Sequence, residues 1–138
     1  MPFLHRVYPA TTPHDTGTAM NILADTKTFR VINDVAACIY DAASGFPGGD
    51  RYGLSSQIRR TAVSMTTSVA ESCAAARSED MLHLLRSACT KLRSLQYQIG
   101  LAQKLGYITE RKFALCDRKA VEADTTLKQQ INLIGSNL

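Results

Sequence analysis

Apolar side chains recur every three or four positions along four segments of the chain, which is the spacing of one face of an α-helix. The spacing predicts helices over residues 27–44 and 54–76, a third helix that begins at Ser78 and a fourth that begins at Thr109. No segment alternates apolar and polar residues as a half-buried strand does. The pattern therefore predicts an all-α protein.

Each predicted helix carries one apolar stripe, and burying four such stripes against one another is the driving force for a helix bundle. The stripes consist of Phe29, Ile32, Ala36, Ile39 and Ala43; Ile58, Ala62, Met65, Val69 and Ala76; Met81, Leu85, Ala88, Leu92, Leu95, Ile99 and Ala102; and Phe113, Cys116, Ala120, Ala123, Leu127, Ile131 and Ile134. Short connections favour antiparallel neighbours. We expect an antiparallel up-and-down four-helix bundle over residues 25–138.

Residues that begin and end helices stand at two of the predicted boundaries. Ser78 is expected to be the N-cap of the third helix, followed by Glu79 and Asp80 in its first turn, where the helix dipole favours negative charge. Gly106 is expected to end this helix, because glycine readily adopts the left-handed conformation of a C-terminal cap.

Residues 1–24 contain three of the four prolines and two of the three histidines, and they show no helical period. We expect them to form a flexible, disordered tail, in which Met20 offers an alternative translation start. The tail has no apolar core of a secretory signal. No stretch of the chain is apolar enough to span a membrane, so a cytoplasmic protein is expected.

The four cysteines, Cys38, Cys73, Cys89 and Cys116, form no C-x-x-C pair and have no histidine pair beside them. They are expected to be reduced, buried thiols rather than a zinc or redox site.

The sequence shows no recognisable catalytic motif. The chain has no nucleophile elbow, P-loop, dinucleotide or zinc-protease motif. Glu79 and His83 are four residues apart, but a di-iron bundle needs a second Glu–His pair, which the sequence does not have. We expect no enzyme activity, no metal and no cofactor.

Positive charge is concentrated in the second half of the chain. Residues 86–138 contain 9 basic and 4 acidic side chains, whereas residues 1–85 contain 7 and 8. On the third helix, Arg86, Arg93, Tyr97 and Lys104 fall within about 20° of one line at 100° per residue. Such a basic stripe with one aromatic ring can hold phosphates and stack on a base of RNA or DNA. The alternative is an ordinary solvated helix face.

The second helix carries a polar line beside its apolar stripe. This line comprises Gln57, Arg60, Ser64, Thr67 and Glu71. Because charged groups are seldom buried without partners, we interpret the line as a candidate subunit interface, with simple exposure as the alternative. In the preceding loop, Asp50 is expected to accept hydrogen bonds from Arg60 or from backbone amides of the second helix, and Tyr52 to pack against a helix end.

The loop and second helix carry a specific motif. FPGGDRYGL at 46–54 and SSQIRRTAVS at 55–64 follow the pattern FPxxExYGLxxQxRRxAxS, with Asp50 at the position of its Glu. SVAES occupies 68–72, and LGYI occupies 105–108. These segments resemble the bacterial four helix bundle protein family, also called the 23S ribosomal RNA intervening-sequence protein family. The resemblance implies a four-helix bundle, a homo-oligomer that is a pentamer in some members, and no enzyme activity.

The resemblance also implies a class of partner. Accessory proteins of diversity-generating retroelements are related to this family, and they resemble basic, ring-shaped oligomers that bind nucleic acid and a reverse transcriptase. The sequence departs from the family pattern at several positions: Ser68 and Ser72 replace Asn and Gly, Thr90 and Lys91 replace Gly and Ser, and Ser94 replaces Glu. Loss of that Glu makes the third helix more basic.

Three functional hypotheses follow. The first is a non-enzymatic, homo-oligomeric binding or scaffold protein that binds nucleic acid, or an enzyme that acts on nucleic acid, through its basic surface. The second is a protein–protein assembly module with no nucleic-acid role. The third is a bundle that binds a small molecule in its core.

Overall fold

The computed structural model describes residues 16–48, 50 and 53–138. These residues form four helices: α1 (Thr16–Ser44), α2 (Leu54–Ala74), α3 (Ser78–Lys104) and α4 (Glu110–Ser136). The described part contains no strand, so the predicted all-α class is confirmed.

The helices pack in a closed ring, in which α1 contacts α2 and α4, and α3 contacts the same two helices. Contacts along α1 and α4 run in opposite directions, since Cys38 meets Cys116 and Asp41 meets Lys112. The Ser55 hydroxyl at the start of α2 donates to a carbonyl near the end of α1. These contacts fit the antiparallel bundle that the hydrophobic pattern predicts.

One apolar core fills the space between the helices, and the predicted stripes supply most of it. The largest fully buried side chains are Ile32, Ile39, Ile58, Met65, Leu92, Leu95, Ile99, Leu127, Val35, Val69 and Cys116. Met81, Phe113 and Ile131 are half-buried and pack against this core. Ala76 does not belong to it, because α2 ends at Ala74 and leaves Ala76 exposed.

Two further helix boundaries differ from the predicted ones. First, α1 begins at Thr16, so residues 16–24 of the predicted tail have a helical backbone; residues 1–15 lie outside the described part. Extending an existing helix costs far less free energy than nucleating one, which explains why α1 begins before residue 27. Second, the N-cap of α3 is Arg77, which has an extended backbone and no side-chain cap, and not Ser78.

The connection between α3 and α4 follows the predicted chemistry closely. Gly106 has a φ of 77°, its amide donates to the Gln103 carbonyl, and the Tyr107 amide donates to the Ala102 carbonyl. This pair of bonds is a Schellman motif. The Thr109 hydroxyl then accepts from the Lys112 amide at 3.1 Å and caps α4.

Replacing Gly106 with alanine is expected to destabilise the fold by about 1–2 kcal/mol, the cost of a left-handed residue with a Cβ. A Cβ there would meet no atom within 4 Å, so the cost is purely one of backbone conformation. Gly100→Ala provides the matched control. This glycine is helical and its Cβ would lie 3.9 Å from the Phe113 ring, so the change should stabilise α3 by up to about 1 kcal/mol. Urea denaturation measures both changes. If the free energies of unfolding of the two variants changed in the same direction, the assignment of Gly106 as a left-handed cap would be contradicted.

None of the helices in the described ranges combines the length and the apolarity needed to cross a membrane. Within the same ranges, no three potential metal-ligand side chains of His, Cys, Asp or Glu come together.

Candidate nucleic-acid interface

The four residues of the predicted basic stripe lie on the outer face of α3. Arg86, Arg93, Tyr97 and Lys104 are all exposed, and the Tyr97 side chain is 74% accessible. The opposite face of the helix holds its buried residues, which include Leu92, the neighbour of Arg93 in the chain. Burial of the apolar stripe therefore turns the basic stripe towards solvent.

An open cavity of about 960 Å³ extends over this face and reaches α2 and α4. Arg86, Arg93 and Tyr97 line it, whereas Lys104 does not. The remaining lining residues are Leu54, Cys89, Thr90, Ser94, Gln98, Leu101, Asp124, Lys128 and Ile131. The cavity thus combines an apolar floor with cations from two helices.

Residues of α4 complete the charge of this cavity. The Lys128 ammonium lies 2.7 Å from the Asp124 carboxylate, one turn earlier on the same helix. Burial raises the pKa of the nearby Cys89 thiol, and the Asp124 carboxylate raises it further. With Arg86, Arg93 and Lys128 set against one carboxylate, the cavity retains a positive charge. No ion pair in the described part of the chain involves Arg86 or Arg93.

Gln98 contributes a polar group to the same cavity. Its Oε1 atom is buried, and no described residue donates a hydrogen bond to it. Sequence reasoning missed Gln98, Asp124 and Lys128. The i,i+4 spacing of Asp124 and Lys128 signals an ion pair, but it does not show that this pair faces α3.

The predicted polar line on α2 is accessible to a partner. Its ends and most of its length are exposed, Ser64 is half-buried, and the Arg60 guanidinium donates to the Gln57 side-chain carbonyl at 3.3 Å. Arg60, Ser64 and Thr67 line a recess of about 590 Å³ together with Tyr40, Ser56, Arg59 and Val63. Gln57 and Glu71 do not line this recess.

Arg59, which lines the same recess, packs against an aromatic ring. Its guanidinium carbon lies 5.9 Å from the centre of the Tyr40 ring, within cation–π range. Its Nε atom is buried without a hydrogen-bond partner among the described residues. A partner's carboxylate or carbonyl oxygen would satisfy this donor.

Asp50 holds the loop before α2 in place. One carboxylate oxygen accepts a hydrogen bond from the Ser55 amide at 2.7 Å, and the Ser55 hydroxyl donates to the Ala43 carbonyl at 2.8 Å. No hydrogen bond joins Asp50 to Arg60, the other predicted donor, in the described part of the chain. Tyr52 lies outside the described residues.

The exposed His83 on α3 is not joined to Glu79. Glu79 instead forms an exposed ion pair with Arg77, at 2.8 Å.

The model of the family described as the 23S rRNA-intervening sequence protein matches residues 25–129. The chain belongs to this family. A crystal structure of a protein of unknown function from the S23 ribosomal protein family of Bacteroides thetaiotaomicron is similar in fold, with a TM-score of 0.72 and 19% sequence identity. The similarity covers 79% of this chain and 98% of that one. Among curated proteins, none matches the chain.

Two departures from the intervening-sequence family pattern meet in space. The Lys91 ammonium donates to the Ser68 hydroxyl at 2.7 Å and to the Ser64 carbonyl at 3.4 Å. Ser68 is buried and Lys91 half-buried. A long cation on α3 thus bonds to a short hydroxyl on α2, at the positions where the family pattern has Ser and Asn. The contact ties the basic helix to its neighbour.

Proposed function

We propose that this intervening-sequence protein is a non-enzymatic, cytoplasmic, self-associating binding protein that engages single-stranded nucleic acid. The basic face of α3, defined here as Arg86, Arg93 and Tyr97 with Lys128 of α4, is the binding surface. The observation that carries the proposal is the exposed Tyr97 ring on the same outer face of α3 as two arginines that form no ion pair in the described part of the chain.

The spacing of these groups suits a sugar–phosphate backbone. Arg86 and Arg93 are seven residues apart, roughly 10 Å along the helix axis. Two such cations can each neutralise a phosphate, and each neutralised phosphate of a single strand contributes about 0.7 to the salt dependence of binding. Tyr97 lies one turn beyond Arg93 and can stack on a base next to these phosphates, an interaction worth about 1–3 kcal/mol. Stacking on an exposed ring requires an unpaired base, which favours single strands over duplex.

Self-association would give the protein its scaffold character by repeating the basic face. The polar line on α2 is the proposed contact, and its recess exposes Tyr40 and Val63 by 43% and 54%. Tyrosine and arginine are the residue types that are enriched at protein interfaces, and both occur here. The family resemblance points to five subunits.

We expect the wild-type protein to bind a labelled single-stranded RNA, with an affinity that decreases steeply as salt increases. The Arg86→Ala/Arg93→Ala variant should bind about 25-fold more weakly near 0.1 M salt, with a salt slope smaller by about 1.4, because two phosphate contacts are lost. Fluorescence anisotropy titrations at several salt concentrations measure both quantities. Arg111→Ala/Arg118→Ala is the matched control, since it removes the same charge from exposed positions on α4.

Two results would contradict the nucleic-acid role. One is no binding at low salt; the other is an equal loss of binding in the control variant, which would indicate an effect of net charge alone. Light scattering coupled to size exclusion, with and without RNA, measures the number of subunits in the same samples. An oligomer that binds no RNA would favour the assembly module, and a metabolite retained in native mass spectrometry would favour the small-molecule hypothesis.

A further inference from the structure

Two cysteines from the first and last helices face each other inside the bundle. Cys38 of α1 and Cys116 of α4 lie 78 residues apart in the chain, and their sulfur atoms are 2.8 Å apart. Both are thiols. Cys116 is fully buried, whereas Cys38 retains 9% exposure. This arrangement is independent of the basic face of α3.

A charged pair lies one turn from these thiols on the same two helices. The Lys112 ammonium contacts the Asp41 carboxylate at 3.0 Å, and the Lys112 side chain is 32% exposed. The positive charge of Lys112 lowers the pKa of the Cys116 thiol. Burial acts in the opposite direction and raises the pKa of Cys116 to about 12. Cys116 therefore stays protonated at neutral pH, and Cys38, the more exposed of the two, is the thiol that meets a peroxide first.

The distance between the sulfurs is already short enough for a bond to form with little movement. A disulfide has an S–S length of about 2.05 Å, so the sulfurs need to approach by less than about 1 Å. The two helices run antiparallel and are held side by side by the Asp41–Lys112 contact.

We propose that Cys38 and Cys116 form a peroxide-oxidisable pair, which closes to an intramolecular disulfide between α1 and α4. In a reducing compartment the pair remains two buried thiols, as the sequence predicts. A peroxide converts it into a covalent bond that closes the ring of helices between its first and last members.

The chemistry requires one peroxide molecule. Cys38, which is the more exposed cysteine, loses its proton to water and attacks one peroxide oxygen; the O–O bond breaks, and the hydroxide released takes up a proton to become water. The sulfur of Cys116 then attacks the resulting sulfenic acid of Cys38. The S–S bond forms, the S–O bond breaks, and hydroxide leaves with the Cys116 proton as a second water. The peroxide gains two electrons, and the two thiols lose two.

To test this, the folded wild-type protein is treated with hydrogen peroxide. It is then denatured in the presence of a reagent that blocks the remaining thiols. We expect intact-mass spectrometry to show the loss of two hydrogen atoms. Trypsin cleaves after Arg30, Arg51, Lys112 and Arg118, so the product should contain peptide 31–51 joined to peptide 113–118. A reductant should separate them. The oxidised protein should also melt about 10 °C higher, because the bond closes a long loop in the unfolded chain.

The remaining two cysteines provide the matched control. Cys73→Ser/Cys89→Ser keeps the pair and should give the same linked peptides, whereas Cys116→Ser should give none. The proposal would be overturned if, after peroxide treatment of the wild-type protein and denaturation, the blocking reagent still modified both Cys38 and Cys116. It would also be overturned if Cys38 progressed to a sulfinic acid, or if the linked peptides contained Cys73 or Cys89.

Discussion

A protein with Leu92 replaced by alanine is expected to have a free energy of unfolding about 2–5 kcal/mol lower than that of the wild type. Leu92 is completely buried in the middle of α3, and α3 packs against both α2 and α4. Truncation removes apolar surface from the core and leaves a cavity that three helices would have to close together. Urea denaturation followed by helical circular dichroism measures the loss.

Leu133→Ala is the matched control for this experiment. Leu133 is also a leucine on a long helix, but 54% of its surface is exposed. Its replacement should change the stability by less than about 0.5 kcal/mol. Equal effects of the two substitutions would show that the apolar stripe of α3 does not face the core.

The second large effect is expected from adding volume, in the variant Ala123→Leu. Ala123 is fully buried on α4, as are Ala120 on the same helix and Ala88 on α3. Small side chains at buried positions allow helices to approach closely, and a well-packed core accepts three more carbon atoms only by shifting its backbone or its rotamers. The expected cost is about 1–3 kcal/mol, measured in the same denaturation experiment.

Ala114→Leu adds the same volume to the same helix at an exposed position. Because leucine and alanine both favour helices, this control should be close to neutral. If Ala123→Leu were as stable as the wild type, the interior next to α4 would have to contain free space, contrary to the close packing described here. The pair of experiments therefore tests how tightly the bundle is packed as well as its topology.

The basic face of α3 depends on the same packing that these variants disturb. The buried stripe of α3, which includes Leu92, lies roughly opposite Arg86, Arg93 and Tyr97, so burying that stripe leaves these three residues on the solvent side. Lys91 extends to Ser68 and Ser64 on α2 and adds a polar contact to the apolar one. A variant that loosens α3 should therefore weaken RNA binding without removing any charge.

The sequence predicted part of the candidate site because that part lies on one helix. Arg86, Arg93 and Tyr97 share a face through the helical period alone, which requires no knowledge of the neighbouring helices. Lys128, Asp124 and Gln98 could not be assigned in this way. The first two come from a different helix, and whether they face α3 depends on the rotation of α4 about its own axis.

The cysteine pair shows more clearly that the sequence of one helix does not predict its contacts with another helix. Residue type and the apolar stripes predicted that Cys38 and Cys116 would be buried thiols. Nothing in either segment indicated that they would meet, because many residues separate them and each helix could be paired at several registers. The meeting of their sulfurs is a property of how α1 and α4 are aligned.

The sequence by itself determined the fold class, the four helical segments, most of the core and the Gly106 and Thr109 boundaries, since each depends on local propensity or on a period within one segment. The tertiary structure decided the Lys91–Ser68 contact, the cavity over α3 and the Cys38–Cys116 pair. These depend on helix register, rotation and contacts between distant segments. Packing of the whole core selects these features, and no single segment encodes them.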